Sequence, residues 1–148
     1  MHNSEKIFSD EGILVRSEGE MVALGRRLAE LLEPGDVLGL VGDLGAGKTH
    51  LVQGVLEGLG ASQPAASPTF ALVHEHADGR LPVAHFDFYR MRAPEEALGL
   101  GWDEYLRGEM VLLVEWADRF DGGLMPPGTR WLVLTHEGEQ VRRVELRA

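Results

Sequence analysis

The stretch that most constrains this chain is Val37-Leu38-Gly39-Leu40-Val41-Gly42-Asp43-Leu44-Gly45-Ala46-Gly47-Lys48-Thr49. It reads as a buried strand, a glycine-rich turn and the opening of a helix, the setting in which G-x-x-x-x-G-K-[ST] becomes a phosphate-binding loop. Glycines at 42, 45 and 47 allow the backbone to take positive φ and turn successive N–H groups inward, forming an anion nest. The helix that begins at Gly47 aims its positive dipole end at the same point. Lys48 then reaches β- and γ-phosphates, and the Thr49 hydroxyl is placed to ligate a magnesium ion. A nucleoside triphosphate is the expected occupant.

The flanks support this reading. Leu51, Val52, Val55, Leu56 and Leu59 define one face of a helix that ends at Gly60. The chain contains twelve arginines but only two lysines, Lys6 and Lys48, so a lysine stands where a compact ammonium on a flexible stem is wanted.

In chain order, Ile13-Leu14-Val15 suggests a short strand, and Ser17-x-x-Glu20 has capping-box spacing ahead of a helix to about Leu32, broken by Pro34-Gly35. Residues 61–68 read as a mobile surface loop. Thr69 to His76 and Val83 to Tyr89 read as strands about an Asp78-Gly79 turn. Pro94 is expected at the first position of one short helix, and Asp103 as the cap of another. Val111 to Val114 has the unbroken apolar character of a strand buried on both faces. A closing hairpin, Trp131–Thr135 with Val141–Leu146, turns around Glu137-Gly138. The pattern implies one α/β domain over residues 1–148, with a mixed sheet that is parallel at its centre and antiparallel at its edges.

Charge narrows the function. A net charge of −10 would repel a polyphosphate backbone, and Arg142-Arg143, the main basic pair, reads as a solvated strand face, so a direct grip on nucleic acid is not expected. No cysteine is present, which excludes a disulfide framework and thiolate chemistry. No apolar leader or membrane-length run is seen, so a cytoplasmic location away from membranes is expected.

A phosphate-binding loop needs a further carboxylate at the carboxyl end of a neighbouring strand. Asp87 ends Val83-Ala84-His85-Phe86-Asp87, and Glu115 ends Val111-Leu112-Leu113-Val114-Glu115. Glu115 has the better form, since an acid after four aliphatics emerges at the sheet edge. Thr69, within Ser67-Pro68-Thr69-Phe70, could approach the metal as switch threonines do. His74 and His76 share a strand face and read as surface residues. Phe86, Phe88, Tyr89 and Trp102 read as core rather than as a base-stacking platform.

Together, the loop from Gly42 to Thr49, Ser67-Pro68-Thr69-Phe70-x-Leu72-Val73, His85-Phe86-Asp87-Phe88-Tyr89-Arg90, Pro94-Glu95-Glu96 and Val114-Glu115-Trp116 resemble the bacterial TsaE family, formerly called YjeE, over roughly residues 17–120. The resemblance implies a P-loop NTPase-like three-layer fold and a small ATPase required for threonylcarbamoyladenosine modification at position 37 of ANN-decoding tRNAs. It also implies Mg-ATP as ligand and a TsaB–TsaD pair as partners, with TsaD performing the transfer. Position by position, it implies nucleotide contacts from Gly42, Asp43, Leu44, Gly45, Ala46, Gly47, Lys48, Thr49, His50 and Trp116. Metal and catalytic roles fall to Lys48, Thr49, Thr69, Asp87 and Glu115. This chain departs from common family usage at Met21, His50 and His76. Two other expectations use the same loop: a nucleotide-gated binding module without turnover, and a small-molecule kinase. No arginine finger is compelled by spacing among Arg90, Arg92 and Arg119.

Overall fold

The computed structural model describes residues 7–62 and 72–148. Seven strands form one sheet: β1 (Ile13–Val15), β2 (Val37–Val41), β3 (Val73–His76), β4 (Val83–Asp87), β5 (Val111–Glu115), β6 (Arg130–His136) and β7 (Arg142–Arg147). Their spatial order is β1-β7-β6-β2-β5-β4-β3. The β6-β2-β5-β4 centre is parallel, whereas β1 with β7, β7 with β6, and β3 with β4 are antiparallel. The expected mixed sheet is therefore present. All five residues of β5 are buried, as an unbroken aliphatic run covered on both faces requires.

Two long helices, α1 (Glu18–Ala29) and α2 (Lys48–Leu59), cover one face of the sheet, while α3 (Glu95–Gly99) and α4 (Trp102–Arg107) belong to the core on the other. Ser17 caps α1, its hydroxyl accepting from Glu20 N–H at 3.1 Å, while Glu20 reaches back to Arg16 N–H at 3.2 Å. The return bond therefore falls one residue before the cap, a variant of the expected capping box. The helix stops at Ala29, a few residues short of the expected Leu32. The short helices also begin differently from expectation. Pro94 is the cap of α3 rather than its first residue, and Gly101, with φ of 82°, caps α4 while Asp103 sits inside its first turn. A glycine that adopts the left-handed conformation freely displaces the acid from the cap.

The α1–α2 contact brings backbone against backbone. A Cβ added at Gly54 would lie 2.0 Å from the Val22 carbonyl oxygen, and one at Gly25 would lie 2.3 Å from that of Leu51. Between helices, only glycine permits this approach. The carboxyl ends of the pair are tied by the turn before β4: the Arg80 guanidinium donates to the Ala29 carbonyl at 2.6 Å, and the Arg80 N–H donates to the Leu59 carbonyl at 2.6 Å. Both bonds satisfy carbonyls that a helix end leaves open.

On the opposite face Phe86, Phe88 and Trp102 pack edge to face, with ring centroids 4.9–6.1 Å apart. These three are core, as expected, but Tyr89 is not: it is exposed. Among the described residues no helix is long and apolar enough to cross a membrane.

His76 differs from the expected surface histidine. It is buried, and neither ring nitrogen has a hydrogen-bond partner. Burial, reinforced by repulsion from His85 and His74, holds its pKa below the ordinary imidazole value against the pull of Asp78. As pH falls, the unfolded chain takes up this proton before the folded one does. The contribution of His76 to stability is therefore complete above about pH 6.5 and is lost as pH falls from there toward the depressed folded value.

Two outcomes follow for unfolding measurements. Gly54→Ala, which would favour an isolated helix by about 1 kcal/mol, should instead lower the denaturant-derived stability by about 2–3 kcal/mol because the close contact must open. The thermal midpoint should fall between pH 7.5 and 5.5, and His76→Phe should flatten that slope.

Candidate functional site

The carboxyl ends of all four parallel strands open into one cleft of about 920 Å³. Ligands of open α/β sheets bind at this edge. β2 delivers the glycine-rich loop, β5 delivers Glu115 and Trp116, β4 delivers Asp87 and Tyr89, and β6 delivers the hairpin that leads to Arg142. The amino end of α1, with Ser17, Glu18 and Met21, forms a further wall.

The loop takes the left-handed backbone expected at two of its three glycines but not at Gly42, where a Cβ would instead lie 2.7 Å from the Leu134 carbonyl oxygen. Gly45 and Gly47 have φ of 77° and 102°, and Gly47 caps α2. A Cβ at Gly47 would also meet the Met21 Cε at 2.8 Å, so the buried methionine of α1 supports the loop from below. Leu44, at the tip, is 68% exposed.

Lys48 is buried, and its ammonium donates to the carbonyls of Gly42 and Asp43, the latter at 3.1 Å. Its Nζ also lies 4.1 Å from the centroid of the Trp116 ring, within cation–π range. Burial draws the Lys48 pKa below its ordinary value, opposed by the negative charges of Glu115, Asp87, Asp118 and Asp43. Four acids thus surround the one cation of the loop.

The Thr49 hydroxyl lies 3.1 Å from Oε1 and 3.3 Å from Oε2 of Glu115. By donating its proton there, Thr49 keeps oxygen lone pairs for a cation. Glu115 is buried, and its Oε2 also lies 2.5 Å from Nε2 of the fully buried His85. Asp87 is the register partner of Glu115 on the adjacent strand and accepts the Tyr89 N–H at 2.9 Å. The two acids named from sequence therefore stand side by side at one sheet edge. His50 lies across from α1, its Nε2 3.5 Å from Glu18 Oε2. Thr69, the expected start of the next strand, lies outside the described residues, as do residues 63–68 of the expected loop before it.

Three features were not legible in sequence. Tyr89 stacks on Trp116 with centroids 4.7 Å apart, forming a cleft wall instead of core. Trp116 itself has φ of 56°, and Leu72, also on the cleft, has φ of 59°. Left-handed conformations in bulky residues cost of order 1–3 kcal/mol and persist where surrounding packing imposes them. The third feature is Arg142. Rather than a solvated strand residue, it is half-buried on the cleft and donates to the Gly45 carbonyl of the loop. Arg143 is half-buried as well, pairing with Glu137 at 2.8 Å and donating to the Glu11 carbonyl at 2.6 Å, but it lies away from the cleft. Of the three arginines weighed as fingers, Arg90 lines the cleft, whereas Arg119 is engaged with the Met91 carbonyl at 2.7 and 3.0 Å.

The family model described as threonylcarbamoyl adenosine biosynthesis protein TsaE matches residues 15–144. The tRNA threonylcarbamoyladenosine biosynthesis protein TsaE of Bacillus subtilis is 43% identical over 129 residues, covering 87% of this chain and 80% of that protein. Its counterpart in a Nostoc species is 38% identical over 138 residues, covering 90% and 83%. The crystal structure of Bacillus subtilis YdiB superposes with a TM-score of 0.78 at 36% identity, covering 90% of this chain and 82% of that one.

The loop geometry sets an expectation for substitution. Gly47→Ala forces a side chain into both a left-handed conformation and the Met21 methyl, so it should cost about 2 kcal/mol or more in urea unfolding. Adding Met21→Ala should not recover the wild-type value, because the backbone strain persists.

Proposed function

This chain belongs to the TsaE family of threonylcarbamoyladenosine biosynthesis proteins, and on that footing we propose that it binds Mg-ATP in the strand-end cleft and hydrolyses it. The observation that carries the reading is the Thr49 hydroxyl bonded to Glu115 beside the buried Lys48. Phosphate, metal and water chemistry need a cation, a hydroxyl and a carboxylate within one small space.

The donor set suits magnesium. The Thr49 hydroxyl and one of the two carboxylates, Glu115 or Asp87, would hold the ion, and Thr69 is a further candidate. Magnesium keeps most of its shell for phosphate oxygens and water. Among the described residues no cluster of three or more His, Cys, Asp or Glu forms a metal cage of its own. Once bound, the ion would draw negative charge from the β- and γ-phosphate oxygens.

The chain's own residues supply the rest. Backbone N–H groups from Gly42 to Thr49 would surround the phosphates, and Lys48 would exchange its loop carbonyls for β- and γ-oxygens. Whichever of Asp87 and Glu115 is not on the metal would orient a water in line with the γ-phosphorus. The new bond joins the water oxygen to that phosphorus, and the bond to the bridging oxygen breaks toward ADP. The water's proton passes to the carboxylate or onward to phosphate. Trp116, between Lys48 and Tyr89, screens the lysine from solvent and keeps its charge effective.

Hydrolysis would serve tRNA threonylcarbamoyladenosine formation together with TsaB and TsaD homologues. The acidic surface suits a subunit that leaves tRNA to others. In a phosphate-release assay the isolated chain should turn over slowly and accelerate with a TsaB–TsaD pair. Lys48→Ala and Glu115→Ala should each reduce release by about 100-fold or more. Nucleotide binding without release in any mixture would favour a conformational switch. A phosphorylated acceptor in place of free phosphate would favour a kinase.

A further inference from the structure

We propose that Arg142 is a positioning residue for the phosphate cradle: it pins the crest of the glycine-rich loop from the far hairpin and brings unneutralised positive charge to the cleft wall. This inference rests on the nucleotide reading of the cleft and extends it to a residue outside the loop motif.

The crest of the loop is the peptide between Gly45 and Ala46. Its carbonyl oxygen accepts from Arg142 Nε at 3.3 Å and from a terminal nitrogen at 3.1 Å. Its N–H donates to the Asp43 carbonyl at 3.0 Å. Both edges of this one peptide plane are held, and it immediately precedes Gly47 and Lys48. Gly45 has φ of 77° and open space where a Cβ would be, so its neighbours do not restrain it sterically. A glycine in open space is the most mobile kind of backbone position, and the guanidinium substitutes for the missing steric restraint.

The other terminal nitrogen of Arg142 donates to the carbonyls of Gly138, Glu139 and Val141 at 3.1–3.2 Å. The guanidinium therefore clamps the β6–β7 hairpin to the loop. Every acceptor is a neutral carbonyl, and among the described residues Arg142 enters no ion pair with a carboxylate. An arginine stays charged at all working pH values, so its charge remains available to an anion in the cleft it lines. In a chain of net charge −10, that places one unpaired positive charge on a cleft wall that also carries Glu139 and Glu18.

Only arginine has this reach in two directions. Its fork presents five N–H donors in fixed geometry, while a lysine offers a single point of donation. The adjacent Arg143 provides an internal control, since it pairs with Glu137 and the Glu11 carbonyl, away from the loop.

The test is Mg-ADP titration by calorimetry on the wild type, Arg142→Ala, Arg142→Lys and Arg143→Ala, with the thermal midpoint of each. Arg142→Ala and Arg142→Lys should both weaken affinity by about tenfold or more, as expected for loss of charge-assisted bonds, while Arg143→Ala stays within twofold. A merely structural arginine would lower the midpoint and leave affinity unchanged. A wild type that binds beside an Arg142→Ala variant within twofold of it overturns this inference alone. Full recovery by Arg142→Lys would also overturn it, by showing that charge without the fork suffices. Should Arg142→Ala fail to fold, Arg142→Lys decides by the same criterion. A wild type that takes up no Mg-ADP would sink the nucleotide reading and this inference together.

Discussion

Burying ionisable groups at the end of a sheet is costly unless each meets a partner, and this constraint organises the cleft. Lys48, Glu115 and His85 are all buried there. Lys48 is met by the carbonyls of its own loop and by four nearby acids. Glu115 is met by Thr49 and His85. Removing one member leaves another without compensation, so binding chemistry and local structure cannot be separated here. The parallel arrangement of β4 and β5 is what makes the set possible. It places the last residues of two buried strands, Asp87 and Glu115, in register beside the loop of β2.

The helix pair has a second, quieter role. Because Gly25 and Gly54 bring the backbones of α1 and α2 together, the amino end of α1 lies against that of α2. Met21 then sits beneath Gly47, while Ser17 and Glu18 line the cleft. A helix far from the loop in sequence thereby shapes it. The hairpin between β6 and β7 acts from the other side through Arg142. The loop is thus supported by two separate elements, α1 and the β6–β7 hairpin, in addition to its own glycines.

Most of the architecture was legible from residue order. The aliphatic run of Val111–Val114, the Ser17 cap, the face of Leu51, Val52, Val55, Leu56 and Leu59, and the Gly60 stop each carry a local physical signal. Each leads to the observed element. The same holds for the placement of Lys48 and Thr49 at the start of α2 and of Asp87 and Glu115 at the ends of β4 and β5. Such placement is set by short-range chain geometry and by hydrophobic periodicity, both of which a single sequence displays.

Arg142, Tyr89, His76 and the Gly25–Gly54 contact were not legible, for a shared reason. Each depends on what a distant segment brings opposite it. Arg142 meets Gly45 only because β7 pairs with β6, and β6 with β2. Tyr89 lies two residues past the end of β4 and meets Trp116, which a different strand brings beside it. His76 is buried through packing that alternation along one strand does not reveal. Local sequence thus established the strands, the glycine-rich loop and its lysine, threonine and carboxylates, because these follow from backbone conformation and burial within a few residues. Long-range register supplied the supports of the loop and the walls of the cleft, because a hydrogen bond or ring contact between remote residues exists only once the sheet has brought them together.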